Sequence, residues 1–337
     1  MAEPLAVLIT GAGSELAFSI FKACQKSTLD LRIIGCDIAE DAVGLHWADR
    51  GYLVPAVKHD PNGFLGALRQ IVERESVRAI FPSPDAELDF LPEHRELFAR
   101  EHNCHLMINA PKEMARFSDK WLAHQWYLEH GLGAPRTARG DVEAEREALI
   151  ADLGFPLVLK PRIGGGSRSV FIVDSRQQME KYLPAVPAPL LQERLLPDDE
   201  EYTAGTFRTQ DDAVFVIVMR RTLKFGMTNK AQMVFDGALD AFCQHVILQT
   251  QLQGVNNIQF RLTTNGPKIL EINPRFSGTT GIRAHFGFNE PEMVLRHFVL
   301  GQDLAQPTLR PGRVARFMEE LYLDAEADPA RFGGIEK

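Results

Sequence analysis

Oxygen-bearing side chains alternate with apolar ones in two neighbouring segments of this chain. Across residues 256–262 the polar positions include Gln259, and across residues 269–273 they include Glu271 and Asn273. Because alternate residues of a β-strand share one face, each segment predicts a strand with these side chains on its polar face. Clustered carbonyl and carboxylate oxygens suit Mg²⁺, which keeps some waters and bridges to substrate phosphates. The two segments therefore predict a divalent-metal site.

The turn between these segments decides whether the predicted metal ligands meet. A two-residue turn at residues 265–266 would place Gln259 opposite Ile272, on the apolar face. A three-residue loop with Gly266 in the left-handed conformation would instead pair Gln259 with Glu271. We predict the three-residue loop, because that register brings the three oxygen donors together.

Several basic side chains near these segments are candidates for holding phosphate or substrate charge. Arg275 shares the parity of Asn273 if the strand continues past Pro274, and a guanidinium there would stabilise negative charge on a transferred phosphoryl group. The other candidates are Arg220, Arg221, Lys224 and Lys230. For each of these four, a solvated basic face is an equally good interpretation.

A glycine-rich loop follows a buried strand that ends in a lysine. Residues 155–161 form an apolar run ending at Lys160 and Pro161, and the loop that follows contains Gly164, Gly165, Gly166 and Ser167. Glycine removes the Cβ that blocks close approach, so the backbone N–H groups of such a loop can bind phosphate oxygens while a lysine supplies positive charge. The chain contains no GxxxxGK[ST] string. A flexible hairpin tip is the alternative interpretation.

A short apolar strand at residues 190–195 breaks into polar residues, including Gln192 and Glu193. Its free backbone N–H and C=O groups could bind an adenine edge, and a carboxylate among residues 198–201 could accept hydrogen bonds from ribose hydroxyls. An acidic turn that is simply solvated would have the same composition.

A second glycine-rich loop, at Gly11 and Gly13, follows the first strand-like run, and Asp37 ends the next one. This arrangement is typical of dinucleotide binding, in which a helix N-terminus holds the pyrophosphate and the acid holds a ribose. The third small residue of that pattern is missing, since Leu16 stands there. A doubly wound domain with a tight first turn and no nucleotide is the alternative.

The order of strand-like and helix-like segments predicts two architectures in succession. Up to about residue 110, short apolar runs alternate with helical segments, which is typical of a doubly wound α/β module with a parallel sheet. Farther along, short strands separated by polar turns predominate, which indicates an α+β region of mainly antiparallel strands. The predicted strands lie at 6–10, 31–36, 77–81, 155–160, 169–174, 190–193, 202–208, 213–220, 255–262 and 267–273, and the helices at 16–24, 63–74, 119–130 and 142–153.

Composition excludes several classes of protein. The chain has 337 residues, of which 45% are hydrophobic and 24% charged, with a net charge of −8, and this is typical of a folded protein with two or three modules. An acidic total without a local basic patch disfavours nucleic acid or an anionic membrane as a partner. Four cysteines without a CxxC pair favour reduced thiols, and no membrane-spanning or export segment is recognisable, so we expect a cytoplasmic protein.

Taken in order, these motifs resemble the ATP-grasp superfamily, and specifically its carbamoyl-phosphate-synthetase-like carboxylate–amine ligases. The resemblance extends over roughly residues 1–310. Its matches are Asp119-Lys120, residues 155–161 with the glycine-rich loop, Gln192-Glu193, Glu201-Tyr202, the strand with Gln259, and residues 271–278. The last of these strings is the most specific.

This resemblance implies a fold and four segments. ATP would bind between two subdomains of an ATP-grasp fold, and the N-terminal α/β module would be a degenerate nucleotide fold that helps to bind substrate. The segments are a pre-ATP-grasp module at 1–110, a small subdomain with a helical lead-in and the glycine-rich flap at 111–192, a C-terminal subdomain with the metal site at 193–325, and a loose tail at 326–337.

Individual roles also follow from the resemblance. Lys120 and Lys160 would contact the ATP phosphates beside the flap, and Arg275 would lie nearest the transferred phosphoryl group, with Arg221 and Lys224 as further candidates for catalysis. In the segment Gln192–Leu195, the backbone of Glu193 and Leu195 would contact adenine, and Glu201 would bind the ribose. The metal ligands would be Gln259, Glu271 and Asn273.

The predicted activity is ADP-forming ligation. The γ-phosphoryl group of ATP would pass to a small-molecule carboxylate with Mg²⁺ or Mn²⁺ present, and an amine would then attack the acyl phosphate. Two alternatives stay open, namely an NAD(P)-linked oxidoreductase that uses Gly11, Gly13 and Asp37, and a carboxylate kinase that stops at the acyl phosphate. The sequence names neither substrate, and a homodimer is expected only by analogy with the family.

Overall fold

The computed structural model describes residues 3–166 and 169–322. Within these ranges the strands form three sheets of five, four and six strands, which succeed one another along the chain. None of the described helices is long and apolar enough to cross a membrane. Ser167 and the predicted tail at 326–337 lie outside the described residues.

The N-terminal module is a parallel sheet with the strand order β3-β2-β1-β4-β5. Its strands are β1 (Leu5–Thr10), β2 (Leu31–Asp37), β3 (Arg50–Leu53), β4 (Ala79–Phe81) and β5 (His105–Leu106), and its helices are α1 (Glu15–Cys24), α2 (Val43–Trp47), α3 (Pro61–Glu75), α4 (Asp85–Phe90) and α5 (Arg95–His102). Because the chain moves outward from β1 to β3 and then returns to β4, the topological switch point lies between β1 and β4. The predicted doubly wound module is confirmed.

Local sequence signals explain where these helices begin. The Ser14 hydroxyl accepts the N–H of Ala17 at 3.1 Å and caps α1, while Asp60 caps α3 ahead of Pro61 in its first turn. At the other end of α3, Ser76 takes a left-handed conformation with φ of 51°. These caps fix the helices that flank the sheet.

A helical lead-in and a small antiparallel sheet follow. The elements are α6 (Pro111–Ser118), α7 (Lys120–Glu129), β6 (Thr137–Arg139), α8 (Glu143–Leu153), β7 (Leu157–Pro161), β8 (Phe171–Val173), α9 (Arg176–Tyr182) and β9 (Pro189–Glu193). The strand order is β6-β9-β7-β8. Leu157, Leu159 and Leu191 pack with Met179 of α9 in a separate small core, so this sheet is a compact unit of its own.

The largest sheet is antiparallel, with the order β14-β13-β10-β11-β12-β15. This part of the chain contains β10 (Glu201–Arg208), β11 (Val214–Lys224), β12 (Met227–Val234), α10 (Gly237–Gln249), β13 (Gly254–Thr263), β14 (Gly266–Asn273), α11 (Thr280–His285), α12 (Glu290–Val294) and β15 (Arg313–Ala315). One face packs against α7 and α10, and the other shares a core with the N-terminal module. Phe81 and Phe276, with ring centroids 5.1 Å apart, join the module to the segment after β14.

The β13–β14 hairpin corrects the predicted turn. Thr263 pairs with Gly266, so the turn has two residues and the predicted three-residue loop is wrong. Phe260 pairs with Ile269 but Gln259 pairs with Glu271, which makes Leu270 an extra residue in a β-bulge. The predicted pairing of Gln259 with Glu271 is confirmed, and the bulge rather than the loop length produces it.

Candidate active site

A cleft of about 750 Å³ lies between the small sheet and the large sheet. The N-terminal module contributes Glu15, Leu16 and Asp85 to its wall. Most of the predicted site residues line it: Lys120, Lys160, Gly164, Gly165, Gly166, Gln192, Glu193, Leu195, Glu201, Arg221, Gln259, Glu271 and Arg275. The structure thus brings together residues that lie far apart in the sequence.

Four predicted residues do not line the cleft. Arg220 and Lys230 are exposed, on β11 and β12 respectively. Lys224 is exposed at the tip of the β11–β12 hairpin, with its ammonium 5.4 Å from the ring centroid of Phe225. Asn273 is 8% exposed and occupies the position opposite Asn257 in the β13–β14 ladder. The metal set predicted from the sequence therefore presents Gln259 and Glu271 to the cleft, with Asn273 beside them in the sheet.

Lys160 is the buried cation at the flap end of the cleft. Its ammonium donates to the Gln192 side-chain oxygen at 2.8 Å, and the Gln192 amide donates in turn to Thr137 Oγ1 at 2.8 Å. Burial, and then the nearby charge of Lys120, lowers the pKa of Lys160 to about 8. Two lysines held together in this way favour an anion between them.

An ion pair holds the base of the flap against the start of α7. Arg162 Nε donates to both carboxylate oxygens of Asp119 at 2.7 Å, and Asp119 caps α7 by accepting the N–H groups of Trp121 at 2.9 Å and Leu122 at 3.2 Å. Lys120, the first residue of α7, donates to the carbonyl of Gly164. Both lysines are therefore fixed relative to the glycine-rich loop.

The flap backbone is open to the cleft. Gly164 and Gly166 have φ values of 113° and 68°, which a residue with a side chain rarely adopts. A Cβ atom at Gly164, Gly165 or Gly166 would meet no described atom within 4 Å, whereas one at Gly226 in the β11–β12 turn would clash with the Gly166 carbonyl. The flap therefore approaches the opposite hairpin closely but leaves space on its own surface.

Two cations of the large sheet hold the segment that connects the two sheets. Lys268 Nζ donates to the carboxylate oxygens of Glu193 at 2.8 and 2.9 Å, and Arg261 Nη1 donates to the carbonyl of Leu195 at 2.9 Å. The Glu193 carboxylate also accepts the backbone N–H of Arg136 at 3.0 Å. Because the Glu193 side chain is bound by protein groups, contact with adenine through its backbone, as predicted, is compatible with this geometry.

Glu201 and Gln259 are linked by a buried arginine. The Glu201 carboxylate accepts from Arg221 Nη2 at 3.0 Å and from Arg261 Nη2 at 2.8 Å. Arg221 Nη2 also donates to Gln259 Oε1 at 2.7 Å. The predicted ribose ligand and the predicted metal ligand thus share one guanidinium, a connection that the sequence did not reveal.

The donor chemistry at the metal end fits Mg²⁺ when phosphates supply further oxygens. Glu271 lies opposite Gln259 in the ladder, which gives one carboxylate and one amide oxygen. No group of three or more His, Cys, Asp or Glu side chains arranged to hold a metal occurs among residues 3–166 and 169–322. Mg²⁺ commonly uses one or two carboxylates plus substrate phosphates, so this set suits a metal that arrives with a nucleotide.

The first glycine-rich loop is closed by the protein itself. Gly11 has φ of 57°, and a Cβ there would clash with the ring of Pro84. Asp37 accepts the N–H groups of Gly13 at 2.8 Å and Ala39 at 3.0 Å, so its carboxylate braces the loop. This geometry does not support the dinucleotide alternative.

A parallel α/β module is followed by two antiparallel sheets that enclose a polar cleft. Residues 186–320 match the family described as "ATP-grasp in the biosynthetic pathway with Ter operon", and residues 7–106 match the "PylC-like, N-terminal domain" family. These matches identify an ATP-grasp domain that follows a PylC-like N-terminal domain, and the chain resembles the carbamoyl-phosphate-synthetase-like carboxylate–amine ligases.

Curated relatives are distant and mostly longer. The C-terminal section of the carbamoyl phosphate synthase large chain of Aquifex aeolicus is 21% identical over 262 residues, which cover 73% of this chain and 47% of that protein. Pyruvate carboxylase of Bacillus subtilis is 28% identical over 185 residues, covering 52% of this chain and 15% of that protein. The chain thus spans less than half the length of either relative.

Solved structures share the fold. N5-carboxyaminoimidazole synthetase from Staphylococcus aureus, complexed with ADP, has a TM-score of 0.71 at 15% identity, covering 92% of this chain and 81% of that one. Biotin carboxylase from Campylobacter jejuni, in a β-γ-ATP complex, has a TM-score of 0.70 at 17% identity, covering 92% and 74%. At these identities the likeness establishes the fold.

Proposed function

We propose that this protein is an ADP-forming ATP-grasp ligase, which activates a small-molecule carboxylate as an acyl phosphate and transfers the acyl group to an amine. The observation that carries this proposal is the composition of the cleft between the small and the large sheet. It combines a lysine pair and an open glycine-rich flap, an oxygen-donor pair, and residues of a second module, Glu15 and Asp85. Phosphate, metal and acceptor substrate would then meet in one space.

Each part of the cleft has a role in this reaction. Lys120 and Lys160 would hold the phosphates against the flap, while Glu271 and Gln259 would hold Mg²⁺. When bound, the metal neutralises charge on the phosphate oxygens. Arg275, whose Nη1 donates to the carbonyl of Phe276 at 2.9 Å, would stabilise the charge that develops on the transferred group.

The proposed bond changes follow in order. A carboxylate oxygen of the substrate attacks the γ-phosphorus, the bond to the β–γ bridging oxygen breaks, and ADP leaves. The amine nitrogen then attacks the acyl carbon, the acyl carbon–oxygen bond breaks, phosphate leaves, and the amine gives up a proton. In this scheme the wall from Glu15, Asp85 and Arg275 would line the space for the carboxylate and the amine.

The test is release of ADP from MgATP over a panel of carboxylic acids, with and without amines. We expect Glu271→Gln to lower kcat/KM at least about 100-fold, because the one cleft carboxylate of the metal pair is lost. Glu180→Gln is the matched control, since Glu180 is exposed on α9 and distant from the cleft lining.

Other outcomes separate the alternatives. Undiminished ADP release by Glu271→Gln would show that the metal assignment is wrong. ADP release with an acid but without consumption of any amine would favour the carboxylate kinase, and thermal protection by NAD(P) instead of MgATP would favour the oxidoreductase. A cytoplasmic location and a homodimer remain predictions.

A further inference from the structure

A continuous line of hydrogen bonds runs across the floor of the cleft, from Arg261 through Glu201 and Arg221 to Gln259. Its links are Arg261 Nη2 to Glu201 Oε2 at 2.8 Å, Arg221 Nη2 to Glu201 Oε1 at 3.0 Å and Arg221 Nη2 to Gln259 Oε1 at 2.7 Å. Arg221 Nε adds a second bond to Glu201 at 3.2 Å. Glu201, Arg221 and Gln259 come from β10, β11 and β13, so the line crosses three neighbouring strands.

The central guanidinium is buried and depends on these partners. The side chain of Arg221 is 8% exposed and that of Glu201 is 14% exposed. A buried charge is costly unless it is paired and hydrogen-bonded, so Arg221 is held in place jointly by Glu201 and Gln259, with a longer contact to Thr228 Oγ1 at 3.4 Å. In the absence of a ligand, the side-chain oxygen of Gln259 therefore accepts a hydrogen bond from Arg221.

This arrangement opposes a divalent cation at Gln259. A metal ion that coordinates Gln259 Oε1 would lie close to the guanidinium nitrogen that is 2.7 Å from the same atom. The repulsion between the two positive charges is weakly screened, because the pair is mostly buried. Metal binding at this position consequently requires Arg221 to turn away.

We propose that Arg221 couples the nucleoside end of the cleft to its metal end, an inference that rests on the proposed nucleotide site. Ribose hydroxyls that bind Glu201 Oε1 would compete with Arg221, because Arg221 Nε and Nη2 both donate to that oxygen. This competition loosens Arg221 and frees Gln259 for the metal, so that nucleoside binding raises metal affinity. By linkage, the metal raises nucleoside affinity by the same factor. Arg221 is then a positioning residue that restricts metal binding to the nucleotide-occupied protein.

The neighbouring arginine provides a control within the same strand. Arg220 points to the opposite face of β11, where its guanidinium donates to Glu200 at 2.8 Å, and its side chain is 46% exposed. It lies next to Arg221 in sequence, but its described ion pair is with Glu200 rather than with Glu201. Substitution of Arg220 changes the net charge by the same amount as substitution of Arg221, but it leaves the line of hydrogen bonds intact.

The probe is Mn²⁺ alone, titrated into the full chain and followed by the electron paramagnetic resonance of the free ion, with and without saturating adenosine. Adenosine has a ribose but no phosphate, so it cannot coordinate the ion strongly through its own oxygens. We expect adenosine to lower the Mn²⁺ Kd of the wild type at least about fivefold. In Arg221→Met, Mn²⁺ should bind tightly without adenosine, and adenosine should no longer change the Kd.

Three further variants make the result decisive. Arg220→Met should keep the adenosine effect. Glu271→Gln should lose the tight Mn²⁺ binding that the wild type shows with adenosine, and this loss would assign the ion to the site at Gln259 and Glu271. Arg221→Lys keeps the charge but cannot bridge Glu201 and Gln259 with a planar fork, so its adenosine effect should fall below twofold. This variant tests the proposal even if Arg221→Met does not fold.

The outcomes that overturn the proposal differ from those that overturn the proposed function. If calorimetry shows that adenosine binds but the wild-type Mn²⁺ Kd does not change, the coupling does not exist. The same conclusion follows if the adenosine effect persists in Arg221→Met or in Arg221→Lys. If neither adenosine nor MgATP binds to the wild type, the nucleotide site itself is wrong, and the coupling falls with it.

Discussion

Two glycine-rich loops follow strands in this molecule, and they use their glycines in opposite ways. In the N-terminal loop, Gly11 leaves room for the ring of Pro84, and Asp37 braces the N–H of Gly13 at 2.8 Å. In the flap, a Cβ at Gly165 would meet no described atom within 4 Å. The first loop is filled by the protein, whereas the second faces the cleft.

The difference shows that a glycine-rich loop after a strand is not by itself a phosphate site. Glycine permits close approach, but the fold decides whether the approaching group is protein or ligand. At the first loop that group is Pro84, which lies between β4 and α4, immediately before α4, and reaches Gly11 because β1 and β4 are neighbours in the sheet. At the flap, the corresponding space is available to a ligand.

The largest expected effect tests the open loop. Lys160→Met should lower kcat/KM for ATP at least about 100-fold, because a buried cation at the phosphate end is removed while its size is nearly kept. The measurement is steady-state ADP release. Lys26→Met, at an exposed position after α1, is the matched control and should behave as the wild type. Full activity in Lys160→Met would contradict the proposed binding of phosphates at the flap.

The next effect contrasts the two loops directly. Gly11→Ala should lower the free energy of unfolding by about 3 kcal/mol, since alanine is strained at φ of 57° and clashes with Pro84. Gly165→Ala should change that free energy by less than about 0.5 kcal/mol. Its MgATP affinity should nevertheless fall, because the new Cβ projects toward the space for phosphate. Urea unfolding and calorimetric titration measure the two effects.

The reverse pattern would contradict the contrast between the closed loop and the open flap. A strongly destabilised Gly165→Ala would mean that the flap is packed, and a fully stable Gly11→Ala would mean that the first loop is not. Unchanged MgATP affinity in Gly165→Ala would remove the flap backbone from the proposed site.

Sequence parity predicted most of the floor of the cleft but missed the bulge that completes it. Alternation placed Gln259 and Glu271 on the face that lines the cleft, as in the structure, whereas Asn273 is only 8% exposed and does not line the cleft. The alternation breaks where Ile269 and Leu270 stand side by side, and this is the only local sign of the extra residue. We instead attributed the pairing of Gln259 with Glu271 to a three-residue loop, which was wrong.

Contacts between segments that are distant in the sequence could not be predicted from the sequence. Arg261 and Lys268 are polar residues on the predicted strands, but their partners are Leu195, just after β9, and Glu193, the last residue of β9, so only the folded chain shows the pairing. The strand β12 and helix α10 were not predicted at all. In β12 the buried residues Thr228, Ala231 and Met233 give little apolar signal, because strand formation there depends on the neighbouring β11.

The smallest effect concerns pH and again separates the two loops. Burial and the charge of Lys120 lower the pKa of Lys160 to about 8, so in the free protein this ammonium loses its proton above that pH. Bound phosphates favour the charged form and raise that pKa, so nucleotide binding takes up a proton at high pH. MgATP affinity should therefore be constant below pH 7 and fall about tenfold between pH 7 and pH 9.

A second buried group titrates in the same range and must be separated from Lys160. Burial raises the pKa of Glu87, beneath the closed loop, to about 8, although a hydrogen bond from Thr10 opposes the rise. Glu87→Gln should keep the tenfold fall in MgATP affinity, whereas Lys160→Arg, which stays charged, should abolish it. If the fall instead disappears in Glu87→Gln, the closed loop controls nucleotide binding and the contrast between the two loops fails.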